Sequence, residues 1–403
     1  MKWIRGGVTA AHGFTASGVS AGVKRGRKLD LALVVSDTPA TAAGLFTTNT
    51  VQAAPVQLSR ARLRGGTARA VLVNSGNANC LTGSRGFRDA ALLGRDLAHA
   101  LGCDERQVLL ASTGIIGRRL PVQKMRRAIP TLVGQLDRQA HAQAARAILT
   151  TDTSMKEVAV SGRIGGRACR LGGMAKGAGM IAPHMATMLC VLTTDVAIDR
   201  ALLREMLRNA VRASFHHISI DGEMSTNDSV LLLANGRSGV EIRRNSPGAG
   251  QFGSMLHGAT QRLAHLLVKD GEGATCMAYI GVSGARTAAD ADACARRVAS
   301  SPLVKTMLAG ADPNMGRVAA AVGASGARFD PKKLEIRIGG LGVVVRGGTV
   351  RSFDAARARK WLRPRPPAYP AMYINLHAGR ARSWMLTSDL TEEYVRINAR
   401  YST

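Results

Sequence analysis

Two spacings of apolar residues run through this chain. Apolar runs at 70–73 and 107–111 stop at the small polar segments NSGNAN and STGIIG, which predicts buried strands with those segments as their loops. A third run, 188–192, predicts another buried strand, with 193–195 as its exit turn. Residues 87–101 place apolar side chains at helical spacing, and 120–149 has room for two more helices. Further on, helices are predicted at 200–214, 252–268, 289–309 and 353–362, and strands near 228–234 and 334–345. No internal repeat is present. The mixture predicts an α/β fold of α+β layers. At 403 residues the chain exceeds one ordinary domain, so two or more units are expected.

One segment between these elements carries candidate chemistry. Residues 176–195, KGAGMIAPHMATMLCVLTTD, set Thr187 between a loop holding Gly177, Gly179 and Pro183 and the apolar run that starts at Met188. An internal threonine has no base of its own. A threonine that begins a chain does, because its α-amine titrates at about 7.7–8.0 and can take the hydroxyl proton. Cleavage between Ala186 and Thr187 would therefore create a nucleophile; without it, the same pattern describes an inert threonine at a strand entrance.

Charge changes the picture less than its size implies. Fifty-five Lys and Arg against 27 Asp and Glu give +28, which raises a nucleic-acid-binding alternative. The aromatic fraction is only 4%, and the basic residues are spread along the chain, so a solvated arginine-rich surface with no specific nucleic acid is expected. The six cysteines show no C-x-x-C pair and no zinc-like histidine spacing, so free packing thiols and no metal are expected, Cys80 and Cys190 included. No apolar run approaches the ~20 residues of a membrane span, and the first residues lack the apolar core of a secretory signal; the cytoplasm is the expected compartment.

Collinear stretches extend the candidate segment over nearly the whole chain: SGVSAGVKRG, AAPVQLSRA, VNSGNAN, ASTGIIG, TTDTSMKEVAV, KGAGMIAPHMATML, DGEMSTNDS, KDGEGAT, GADPNMGR and YVRINARYST. In that order they resemble the glutamate N-acetyltransferase and ornithine acetyltransferase family of arginine biosynthesis. The resemblance implies helices sandwiching a sheet, much as in N-terminal nucleophile hydrolases, with a smaller C-terminal α/β unit. It implies self-cleavage into an α chain, 1–186, and a β chain, 187–403, which assemble as a heterotetramer of two α and two β chains.

The implied reaction moves an acetyl group from N2-acetylornithine to glutamate through acetyl-Thr187, without a cofactor. Mono- and bifunctional members share these motifs, so acetyl-CoA stays open as a second donor. Thr113 and Gly114 match the family's oxyanion-hole pair. Lys176 and Glu272 match its cationic and anionic substrate-binding positions. A threonine of TTDT, taken as Thr150, and Asn398 and Thr403 of the tail complete the substrate set by match. The sequence departs from the family pattern at His184 for asparagine, Met315 for tryptophan and Glu223-Met224 for Asp-Thr. A self-cleaving aminopeptidase or amidase of related architecture is the enzymatic alternative.

Overall fold

A computed structural model of the chain describes residues 1–182, 188–350, 353–363 and 368–400. Ala186 and Thr187, the expected cleavage pair, and His184 and Thr403 lie outside the described residues. The chain forms two compact units that interleave in sequence.

The first unit takes its described residues from Met1–Gly177, from 188–216 and from Met224–Leu267. Its nine-stranded sheet runs, in spatial order, Lys2–Trp3, Lys156–Ile164, Arg167–Lys176, Leu189–Thr194, Ser229–Ala234, Leu31–Phe46, Thr67–Asn77 and Val108–Ile115, with Phe14–Val19 paired to Leu31–Phe46. Two pairs are parallel: Leu189–Thr194 with Ser229–Ala234, and Thr67–Asn77 with Val108–Ile115. Both faces are covered, and the alternation of side chains shows it. Leu31, Leu33 and Val35 join Leu72 and Leu110 beneath the helices Gly83–Leu101 and Val122–Gly134. The intervening Ala32 and Val34 join Val71, Val73 and Leu109 against the helix His141–Ala147. Each fully buried leucine or valine contributes about 1.5–3 kcal/mol.

The second unit takes its described residues from 178–182, from His217–Glu223 and from 268–400. Its seven-stranded sheet runs Ile218–Ser219, Ala381–Ser388, Met277–Ala285, Ala371–Asn375, Glu335–Ile338, Leu341–Val345 and Gly348–Thr349. Ile280, Val282, Ile336 and Ile374 of that sheet share one core with Cys294, Val298, Met307 and Val318 of its helices. This is the smaller C-terminal α/β unit. No helix among the described residues is long and apolar enough to cross a membrane.

Three sequence expectations need correction. The segments NSGNAN and STGIIG are not plain loops: the strands run on through Asn77 and Ile115, and Ser75 and Gly76 lie opposite Thr113 and Gly114 in the ladder. The residues 193–195 are not all exit turn, because Thr193 and Thr194 are buried strand residues whose hydroxyls donate to Val8 O (2.6 Å) and Arg170 O (2.8 Å). The helix expected over 289–309 is two helices, Ala288–Ala299 and Pro302–Gly310. Ser301 caps the second by accepting from Val304 N, and Pro302 fits its first turn.

Candidate active site

In the first unit, three strand ends and a turn assemble one buried polar cluster. Lys176 closes the strand Arg167–Lys176, and the residue is 2% exposed. Its Nζ donates to Thr150 Oγ1 at 2.8 Å and lies 3.4 Å from Thr113 Oγ1. The three sequence-expected residues Thr113, Thr150 and Lys176 are thus neighbours, although 63 and 26 positions separate Lys176 from the other two.

The cluster is held by a residue that sequence reasoning passed over. The fully buried carboxylate of Asp152 lies 3.8 Å from Lys176 Nζ and accepts from Lys156 Nζ at 2.7 Å. It also accepts from Gly177 N at 2.7 Å and Thr150 N at 3.0 Å. Burial pushes its pKa up, but the two ammonium groups and these hydrogen bonds outweigh burial and hold it well below the usual carboxylate range. One buried carboxylate therefore lies against two buried lysines. The signal was present in Asp152 and Lys156, four apart in TTDTSMK.

Gly114 sits beside Thr113 with φ +130°, where a Cβ would lie 2.3 Å from the carbonyl carbon of Gly76. Only glycine fits so close an approach of two strands. Lys24, also unforeseen, donates to Leu149 O (2.6 Å) and Leu29 O (3.0 Å). Burial lowers its pKa to about 8, with Asp30 opposing and Lys176 adding to the fall.

The second unit holds the other two described candidates. Asn398, on the helix Glu392–Ala399, donates to Glu272 Oε2 at 2.7 Å and to Tyr394 O at 3.0 Å. The segment 178–182 packs on the same carboxylate: a Cβ on Gly179 would lie 2.4 Å from Glu272 Oε2, and Glu272 N donates to Ala178 O at 2.7 Å. Asp221 holds that segment further along, accepting from Met180 N and from Ile181 N (2.9 Å), and takes the Tyr394 hydroxyl at 3.2 Å. The glycines of KGAG therefore have a local reason: one of them makes room for Glu272.

The cysteines behave as small hydrophobes. All six are free; Cys80 packs with Ala53, Val56 and Ala78, and burial pushes the Cys190 thiol far up.

The ArgJ family model matches residues 15–403. The arginine biosynthesis bifunctional protein ArgJ of Thermosynechococcus vestitus is 44% identical over 414 residues, covering 99% of this chain and 99% of that protein. The protein of the same description from Symbiobacterium thermophilum is 45% identical over 409 residues, with both chains covered completely. The chain belongs to the ArgJ family. Membership makes it an acyltransferase of arginine biosynthesis. Among solved structures, the ornithine acetyltransferase of Mycobacterium tuberculosis, described in complex with ornithine, is 40% identical; the match covers 45% of this chain and 97% of that one at a TM-score of 0.42.

Proposed function

We propose that this ArgJ-family chain transfers the acetyl group of N2-acetylornithine to glutamate, giving ornithine and N-acetylglutamate. The observation that carries this reading is the buried cluster of Lys176, Thr150 and Thr113 beside a glycine that no other residue can replace. A charged lysine kept out of water is suited to a substrate carboxylate.

In maturation, the Thr187 hydroxyl attacks the Ala186 carbonyl, the acyl group shifts from nitrogen to oxygen, and water releases an α chain, 1–186, and a β chain, 187–403. In turnover, Thr187 Oγ attacks the acetyl carbonyl of N-acetylornithine and its proton passes to the α-amine. Thr113 and the Gly114 backbone supply donors for the oxyanion. Ornithine leaves with the proton; the glutamate amine then attacks the acetyl carbon, the bond to Thr187 Oγ breaks, and the amine's proton returns through the α-amine to Oγ. Lys176 and Thr150 hold a substrate carboxylate; Glu272 and Asn398 hold the side-chain ammonium of ornithine; Thr403 contributes from the chain end. Both half-reactions share one nucleophile, so ping-pong kinetics follow. Acetyl-CoA serves as a second donor in the bifunctional form of the reaction. The mature enzyme is a cytoplasmic heterotetramer of two α and two β chains.

The test is the intact mass under denaturing conditions beside Thr187→Ala, followed by the transfer assay. Two fragments divided after residue 186 in the wild type only, parallel double-reciprocal lines and accumulating N-acetylglutamate are the expected results. Free acetate in place of N-acetylglutamate would assign the chain to the aminopeptidase and amidase alternative, and an uncut active chain would refute the mechanism.

A further inference from the structure

Within the second unit, Glu272 is 8% exposed and two pieces of backbone pack on it. One is the segment 178–182: Glu272 N donates to Ala178 O at 2.7 Å, and Gly179 leaves room for the carboxylate. The other is the helix Glu392–Ala399, from which Asn398 donates to Glu272 Oε2 at 2.7 Å. Thr391, at the start of that helix, donates its hydroxyl to Gly273 O at 2.7 Å. Gly273, at φ +66°, lets its loop pass the helix closely, since a Cβ there would lie 2.5 Å from Tyr394 N.

Both pieces are also bonded to a third residue, which the mechanism above does not use. Asp221 Oδ1 accepts from Ile181 N at 2.9 Å and from Glu223 N at 3.1 Å. Its Oδ2 accepts from Met180 N and from the Tyr394 hydroxyl, the latter at 3.2 Å. Ile220 N adds a bond to Ile181 O at 2.8 Å. Met180 needs such a grip, because its φ is +57°, in the left-handed region that a methionine keeps only where its surroundings impose it. Burial, followed by Asp221, Glu272 and Glu223, pushes the Tyr394 phenol pKa up, so near pH 7 it remains a neutral donor.

We propose that Asp221 is the positioning residue for Glu272, fixing the segment 178–182 and the helix Glu392–Ala399 so that this carboxylate selects the side-chain ammonium of the substrate. The inference rests on the reading that Glu272 receives that ammonium. Asp221 acts through Glu272 and does not touch substrate. Released from Asp221, Met180 can leave the left-handed region and carry Gly179 and Ala178 with it. The helix loses the Tyr394 tie one turn before Asn398. A binding group is only as selective as the shell that holds it.

Selectivity for the ammonium is read as a ratio: kcat/KM for N-acetylornithine over kcat/KM for N-acetylnorleucine, in which a methyl group stands where ornithine carries its ammonium. A site built to pair a polar group rejects the analogue that lacks it, whereas a merely structural role would slow both substrates alike and leave the ratio where it was.

The variants are made in the full chain, and thermal melts establish that each is folded. Glu272→Gln comes first and is expected to lower the ratio at least tenfold; a smaller fall would overturn the assignment of Glu272 to the ammonium before any Asp221 variant is read. In Asp221→Asn, whichever way the amide turns, its N–H group is set against Met180 N or Ile181 N. With the Glu272 assignment standing, this variant is expected to lower the ratio at least fivefold, and a smaller fall would overturn the inference alone. Added to Glu272→Gln, Asp221→Asn should lower the ratio less than twofold further, because the two residues act as one unit. A further fall of twofold or more would place Asp221 in a role of its own and overturn the inference. If Asp221→Asn does not fold, Tyr394→Phe decides in its place: it removes one bond to Asp221, and a fall in the ratio of less than twofold would overturn the inference.

Discussion

Asp152→Asn isolates the electrostatics of the candidate site. The substitution keeps the shape of the side chain and removes the carboxylate that lies against two lysines, of which Lys156 is fully buried and Lys176 nearly so. It also replaces one acceptor by a donor, setting an N–H against either Lys156 and Gly177 N or Thr150 N. Breaking a buried ion pair by removing one partner costs about 3–5 kcal/mol. At about 2–4 °C per kcal/mol for a unit of this size, the melting temperature should fall by roughly 6–20 °C at pH 7. The pH dependence carries the sign. In the wild type, the depressed Asp152 pKa contributes stability that is fully present above the unfolded value of about 3.9 and is lost as pH falls through the lower folded value. The variant lacks that acid limb. Its own deficit should shrink as pH rises toward the ordinary lysine range near ~10.4, where an unpaired buried ammonium sheds its proton. Thermal melts of both proteins from pH 3 to 10 decide the matter, with Asp152→Asn/Lys156→Met as control. The double variant should recover part of the loss, because one buried charge is removed with its partner. A drop under about 3 °C, or a deficit that does not change with pH, would refute the idea that the Asp152 carboxylate stabilises the two buried lysines.

Gly114→Ala should lower the melting temperature and abolish turnover, since φ +130° and a Cβ 2.3 Å from Gly76 C force the strands apart; strained backbone of this kind costs about 1–3 kcal/mol before the clash is counted. Differential scanning calorimetry with the transfer assay checks it. Thr150→Val preserves shape but removes the hydroxyl that accepts from Lys176 at 2.8 Å. A hydrogen bond to a charged group is worth about 1.5–3 kcal/mol, so kcat/KM should drop about 10- to 100-fold, measured at low N-acetylornithine. Lys24, lowered by burial to about 8, takes up more protons unfolded than folded between pH 8 and about 10.4, so its contribution to stability rises with pH across that window. Urea unfolding at pH 8 and pH 10 should show this rise diminished in Lys24→Met.

How far the chain discloses itself depends on what holds each element in place. Helices such as Gly83–Leu101 and Arg200–Arg212 were legible because one apolar face is repeated locally, within every two turns. The break at Ser301-Pro302 was equally local, a serine cap followed by a proline that suits the first turn of a helix, yet the apolar periodicity on either side hid it. Family motifs identified Thr113, Gly114, Thr150 and Lys176, and the structure brings all four to one place. They did not point to Asp152, whose role exists only because Lys156 enters one strand and Lys176 leaves the next.

The same physics explains why the misreadings fell where they did. Hydrophobicity assigns polar residues to loops because an exposed backbone is usually where polar side chains go. At Asn74–Asn77, Ser112–Thr113 and Thr193–Thr194 the polar residues are buried in the sheet, and they remain there because each finds a partner in a segment distant in sequence. Ser112 Oγ donates to Asn74 Oδ1 at 2.6 Å, Asn227 reaches Ser112 O, and the threonines satisfy carbonyls of Val8 and Arg170. Such pairings cannot be inferred from either segment alone. On the proposed assignment they collect where strands end because an acyl-transfer site needs donors, acceptors and a charge held out of water, fixed by neighbours that cannot move. The places where pattern sends a polar residue to solvent and the fold buries it are therefore the places to look for chemistry in this chain. Asp152 is of that kind.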